Sequence, residues 1–173
     1  MSLFLIELVP ADPTREGAQA LIETLASQST GTGAELIESQ VTADAGRVFA
    51  VLEADEAEAL APLASVDGAA EVTAPAEVRL VGAELADIKA ARPHAGYLVE
   101  WDLPATLDMD TYLANKKAKS PRYAQVPEVA FLRTYVREDM LKCLCFYDAP
   151  DQDTVVRARE VVQTPIDRLH QLA

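Results

Sequence analysis

Phe4-Leu5-Ile6-Glu7, followed by Val9-Pro10, has a counterpart farther along the chain in Tyr97-Leu98-Val99-Glu100, followed by Leu103-Pro104. Each is a short apolar strand that carries one Glu and is stopped by Pro. Working outward, Leu36-Ile37-Glu38-Ser39-Gln40-Val41 parallels Phe131-Leu132-Arg133-Thr134-Tyr135-Val136, and the run from Val48 to Ala54 parallels the run from Cys143 to Ala149. An acidic helix start follows both, at Asp55-Glu56 and at Asp151 and Asp153. The offset stays between 93 and 95 residues, which marks an internal repeat of low identity.

Each half reads as βαββαβ. In the first, strands are expected near residues 3–9, 35–42, 47–53 and 77–82. Asp12 is placed to cap a helix with Pro13 at its first position. Ala18, Leu21, Ile22 and Leu25 form the buried stripe of that helix. A second helix is expected over about 55–65. In the second half, strands are expected near 96–102, 128–137, 141–147 and 167–172, with helices near 108–119 and 150–162. Two such units predict an α+β fold, a tandem ferredoxin-like repeat. Repeat 1 spans 1–82, a connector closed by Pro93 spans 83–94, and repeat 2 spans 95–173. The uncovered face of each sheet still carries apolar residues. Packing the two open faces together makes the chain its own pseudo-dimer, an intramolecular dimeric α/β-barrel-like arrangement.

The 173 residues are half apolar, enough for a core, and carry a net charge of −13. Such a field repels phosphate backbones and anionic membrane surfaces, so neither nucleic acid nor membrane is an expected partner. No apolar run approaches the roughly 20 residues that span a bilayer. Met1-Ser2-Leu3 offers no basic segment of a signal peptide. Cys143 and Cys145, two apart on a strand, pair poorly as a disulfide, so a reduced, cytoplasmic protein is expected. A barrel closed within one chain needs no second copy, so a monomer is expected, or a weak homodimer through sheet edges.

Candidate site residues cluster in the second half. Glu7 and Glu100 sit mid-strand at matching positions, and alternation places Glu100 on the face of Leu98, opposite Tyr97, Val99 and Trp101. A carboxylate on an inward face must be paired or serve as a ligand or proton carrier, and Arg133 is the natural partner. Cys143, Cys145 and Tyr147 share one strand face with Leu141, and Arg133 and Tyr135 share a face with Val129 and Phe131. Thiol, phenol and guanidinium together would suit a small ligand. The basic stretch Lys116, Lys117, Lys119 and Arg122 reads as a solvated helix face or as an anion gate over a pocket. No Gly-rich phosphate loop or catalytic triad is present, and the Cys and His spacings do not make a zinc site.

Tyr97-Leu98-Val99-Glu100, Leu103-Pro104, Thr134-Tyr135-Val136 and Cys145-Phe146-Tyr147-Asp148-Ala149-Pro150-Asp151, in that order and spacing, resemble one family. It is the nickel-binding-protein-like family of small ferredoxin-fold bacterial proteins, common in actinobacteria and mostly of unknown function. The resemblance covers residues 97 to about 170, and the first half fits only as a degenerate copy. It implies a dimeric α/β barrel and a transition-metal site, with nickel as the implied cofactor. Family members usually carry a His in the helix after the Ala-Pro-Asp string. That position falls near Ala158 here, and neither His94 nor His170 replaces it.

The expected function is a small-ligand or transition-metal binding protein with a pocket between two ferredoxin-like sheets. Glu7, Tyr97, Cys145 and Tyr147 would contact the ligand. The rival is a cofactor-independent enzyme in which Glu100 transfers a proton and Tyr135 or Arg133 stabilises an oxyanion. A non-catalytic interaction protein is the third class.

Overall fold

The apolar residues Phe4 to Leu8 form the middle of strand β1 (Ser2–Pro10), where Phe4, Leu5, Ile6 and Leu8 are all buried. The computed structural model describes residues 1–91 and 94–173, so the expected connector stop at Pro93 lies outside the described residues. The chain divides into two compact units. One comprises Met1–Val78, Glu84–His94 and Leu172–Ala173, and the other Arg79–Ala83 and Ala95–Gln171.

In the first unit, β1 pairs antiparallel with β3 (Val48–Ala54), which pairs with β2 (Glu35–Val41). Its other edge takes β4 (Ala69–Val72), a strand the sequence reading lacks, and β5 (Ala76–Val81). Helix α1 (Arg15–Gly31) buries Ala18, Leu21 and Leu25, as its spacing predicts. Its cap is Thr14, not Asp12: the Thr14 hydroxyl accepts from Gly17 N at 3.0 Å and donates to Asp12 Oδ2 at 3.0 Å. Asp12 supports the cap from outside the helix. The expected second helix is a 3-10 segment, Ala57–Ala64, because Pro62 within it cannot donate to an α-helical ladder. The expected connector contains helix α2 (Leu85–Ala91), which belongs to this unit. Its Ile88 is buried and its Lys89 pairs with Glu35 and Glu53.

The second unit carries the sheet order β7-β8-β6-β9, all antiparallel. Its strands are β6 (Tyr97–Asp102), β7 (Ala130–Arg137), β8 (Lys142–Asp148) and β9 (Arg168–Gln171). Helix α3 (Met109–Lys119) starts at Asp108, whose Oδ1 accepts from Thr111 N at 2.7 Å. Its last turn holds Lys116, Lys117 and Lys119, where the helix dipole favours cations. A 3-10 turn, Ser120–Gln125, follows. Helix α4 (Gln152–Val161) is capped by Asp151, which accepts from Thr154 N at 2.8 Å. The Ala-Pro-Asp string therefore has a structural duty. Pro150 ends the strand register and Asp151 starts the helix.

One irregularity decides which residues share a face. The β7–β8 register slips between Phe131 and Arg133. Leu132 is the extra residue of a β-bulge, and side chains beyond it change sides. Val129 and Phe131 pack into the helix-covered core, whereas Arg133 and Tyr135 turn to the other face beside Phe146. The expectation that all four share a face is corrected by that bulge. Leu141, expected in line with the cysteines, is exposed in the hairpin turn. No helix of the described residues is long and apolar enough to cross a membrane.

Gly82 sets the position of Phe131. Its φ is +88°, and a Cβ there would lie 2.8 Å from Phe131 Cε1. Phe131 in turn stacks on Tyr123 with ring centroids 5.5 Å apart. Gly82→Ala is expected to destabilise the protein by about 1–2 kcal/mol, from backbone strain and displacement of Phe131. Urea unfolding checks this: the midpoint should fall at constant slope, and an unchanged midpoint would show that Phe131 has room to yield.

Candidate functional site

The alternation of β6 and β8 places Tyr97, Val99, Cys143, Cys145 and Tyr147 on the face that α3 and α4 cover. Helix α4 and its C-cap meet this face with Val155, Ala158, Arg159 and Val162, all buried. Three of those positions are apolar. The fourth brings a guanidinium into the core, with Arg159 only 2 % exposed.

A cavity of about 50 Å³ opens beside it, within the second unit. Its apolar walls are Trp101, Leu107, Tyr112 and Val162. Asn115, Ser120, Tyr123 and Thr164 add polar atoms, Lys116 and Lys119 lie along it, and Cys145 and Arg159 reach it from the sheet and α4. Arg159 Nη1 donates to Tyr147 Oη at 3.2 Å and to Cys145 Sγ at 3.4 Å, and Nη2 donates to the Pro165 carbonyl. The guanidinium lies 5.9 Å from the Trp101 ring centroid. Tyr123 and Tyr147 share a hydroxyl–hydroxyl hydrogen bond of 2.7 Å. Two buried polar atoms of the cavity wall, Arg159 Nε and Thr164 Oγ1, have no partner among the described residues. No carboxylate pairs with Arg159 or lines the cavity among those residues.

The electrostatics follow from this placement. The Cys143 thiol beside Cys145, helped by the charges of Lys116 and Arg159 and the Thr134 hydroxyl, holds the Cys145 thiol down against the upward pull of burial. Burial pushes Tyr147 up. Burial also pushes Tyr123 up to about 12, so both phenols keep their protons at neutral pH.

On the other face, Glu100 meets a different environment. Its carboxylate accepts from Lys142 Nζ at 2.7 Å, Arg168 Nε at 2.9 Å and His170 Nε2 at 2.7 Å. Burial raises its pKa, but hydrogen bonds from His170, Lys142 and Arg168 and the Lys142 charge overcome this and lower it to about 2.

The residues singled out in the sequence therefore fall into three places. Cys145 lines the cavity, Tyr147 stands behind it on Arg159, and Tyr97 is buried on the same face. Glu100, Arg133 and Tyr135 lie on the opposite face of that sheet and do not line the cavity. Glu7 belongs to the first unit, where Arg47 Nη1 donates to it at 3.2 Å. Sequence reasoning missed Arg159. The signal was available: Arg159 interrupts the stripe Val155, Ala158, Val162 at a core-facing position of α4.

Comparison with known proteins fixes the class first. Three solved structures cover nearly the whole chain. "Putative Chlorite dismutase TA0507" aligns with TM-score 0.54 and 11% identity over 100% of this chain and 95% of its own. An "anthrone oxidase-like protein" aligns with TM-score 0.52 and 11% identity over 99% and 91%. "Putative monooxygenase (FN1347)" from Fusobacterium nucleatum subsp. nucleatum aligns with TM-score 0.50 and 11% identity over 98% and 90%. At that identity the likeness shows the fold alone: this chain has the α+β, dimeric α/β-barrel fold. More particularly, residues 97–172 match the family of the nickel responsive protein SCO4226-like, and residues 1–66 match a domain of unknown function, DUF3303. The resemblance read from the second half is thus a family match there. No curated protein matches the chain.

A nickel-type ion does not fit the donors of the cavity. Its strongest metal-ligating group is the Cys145 thiol, and the Arg159 guanidinium 3.4 Å away repels a cation. Ala158 stands where an imidazole was expected, and the His170 ring is engaged with Glu100. Among the described residues no three His, Cys, Asp or Glu side chains gather as a metal site.

The Glu100 cluster gives a pH prediction. Because its folded-state pKa lies below the ordinary 4.5, the stabilisation is complete above that value and lost as pH falls toward about 2. Arg168 is partly exposed, which screens the interaction, so about 2 kcal/mol is the expected contribution. Glu100→Gln should lower the unfolding free energy by about that amount at pH 7 and flatten its decline between about pH 5 and pH 2. An acid limb identical in wild type and variant would show that another group titrates there.

Proposed function

We propose that this protein is a small-molecule binding protein whose site is the cavity of its second unit. One observation carries the reading: Arg159 Nε and Thr164 Oγ1, on two residues of the cavity wall, are buried and have no partner among the described residues. Folded proteins meet more than about 90% of their buried polar groups. Unmet donors beside a cavity are what a ligand or trapped water would satisfy. At about 50 Å³ the space exceeds the roughly 10–15 Å³ that one water needs and takes the small planar head group of a ligand whose body lies along the open side. The aromatic walls Trp101, Tyr112 and Tyr123 supply apolar contact for the rest of a ligand.

This support favours binding over acid–base catalysis. A proton-transfer group works best with a pKa near the operating pH. Glu100 is held near 2, and it lies on the face opposite the cavity with Arg133 and Tyr135.

Trp101, the single Trp of the chain, lines the cavity and reports on its occupancy. In a titration of small aromatic compounds, some should change Trp101 emission saturably. Dissociation constants near 0.1–1 mM are expected at roughly 0.5 kcal/mol per atom. Thr164→Leu, which fills the space with methyl groups, should weaken these binders at least about fivefold. A panel without a saturable Trp101 response, or binding untouched by the filled cavity, would overturn the assignment.

A further inference from the structure

The charge of the cavity names the class of ligand. The chain as a whole carries a net charge of −13, yet the charged side chains lining this cavity are all cationic: Lys116, Lys119 and Arg159. Arg159 is buried without a carboxylate, an arrangement that is costly unless something compensates the charge. Its present acceptors are the Cys145 sulfur, a phenol and a carbonyl, with no carboxylate among them. Lys116 lies over the Phe131 ring, 4.3 Å from its centroid, and Lys119 makes one long hydrogen bond of 3.5 Å to the Gln163 carbonyl. Both keep donors for a further partner, since an ammonium has three.

The two unmet groups also limit the shape of the anion. Arg159 Nε and the Thr164 hydroxyl offer two donors, which match the two oxygens of a carboxylate. A phosphate's further oxygens would fall to Lys116 and Lys119, and inorganic phosphate has no apolar body for the remaining walls to contact. The walls of Trp101, Leu107, Tyr112 and Val162 hold no further charge and fit an apolar or aromatic body. We infer that the cavity binds a small organic carboxylate, its carboxylate toward Arg159 and Thr164 and its apolar body among the aromatic side chains. The inference rests on the reading of the cavity as a ligand site and adds the chemical class.

Sodium benzoate and benzamide are matched probes, planar and nearly isosteric, differing in charge. Titrated against the full chain at pH 7.5 with Trp101 emission as readout, benzoate should bind at least about tenfold more tightly than benzamide, as charge-assisted hydrogen bonds predict. Arg159→Met, checked for folding by circular dichroism, should abolish that preference. If Arg159→Met does not fold, Lys119→Met carries the test. It should weaken benzoate about threefold and leave benzamide unchanged, and equal effects on both would overturn the inference. Saturable benzamide binding as tight as benzoate would also overturn the anionic class while leaving the ligand site standing. Inorganic phosphate displacing benzoate at equal concentration would overturn the carboxylate class. No Trp101 response to either aromatic probe would overturn both the class and the site.

Discussion

Arg159 enters the core of the second unit from α4 with its charge intact and meets no acid there. An isolated charge in a low-dielectric interior is among the most costly features a fold can carry. This one is softened by three acceptors, none of them a carboxylate, and by the face of Trp101. The neighbouring groups bear its imprint. Cys145 is held toward its thiolate, and the Tyr147 phenol accepts rather than donates toward the guanidinium. The cavity lies where α4 supplies a long polar side chain in place of an apolar knob.

The same sheet solves the opposite problem on its other face. There Glu100 is buried and receives donors from Lys142, Arg168 and His170. Arg168 also takes the exposed Asp102, so the cluster is a network rather than a single pair. A carboxylate over-supplied with cations is fixed and ionised. A guanidinium without a carboxylate is electrostatically unfinished. One buried charge comes from strand β6 and the other from helix α4, and the second belongs to the cavity wall and keeps a donor without a partner among the described residues. That contrast separates structural charge from charge available to a ligand.

Most of the element order was legible because it rests on local chemistry. The strand period of β6 and β8, the acidic start of α4, and the stripe of α1 each follow from nearest neighbours in sequence. What was not legible depended on one-residue events. The bulge at Leu132 transfers Arg133 and Tyr135 from the face of Phe131 to the opposite one, and no residue type announces it. The expected common face of Val129, Phe131, Arg133 and Tyr135 failed at that point. Pro62 did announce its effect, and the 3-10 segment follows from it. Arg159 was legible in principle. Its position on the buried stripe of α4, between Val155 and Val162, is the only local sign of it.

The family match in the second half and the donor set of the cavity pull in different directions, and physical chemistry reconciles them. A bound metal cation supplies a fixed positive charge at the base of a pocket and attracts an anionic ligand. A buried guanidinium supplies the same sign of charge with directional donors and no coordination demand. Here Ala158 leaves the helix without an imidazole, and the adjacent Arg159 places a permanent cation against Cys145. A second cation would be repelled from that point, whereas an anion would meet a charge already desolvated. On this argument one turn of α4 decides which sign of charge this sheet face presents, and in this chain that sign is positive.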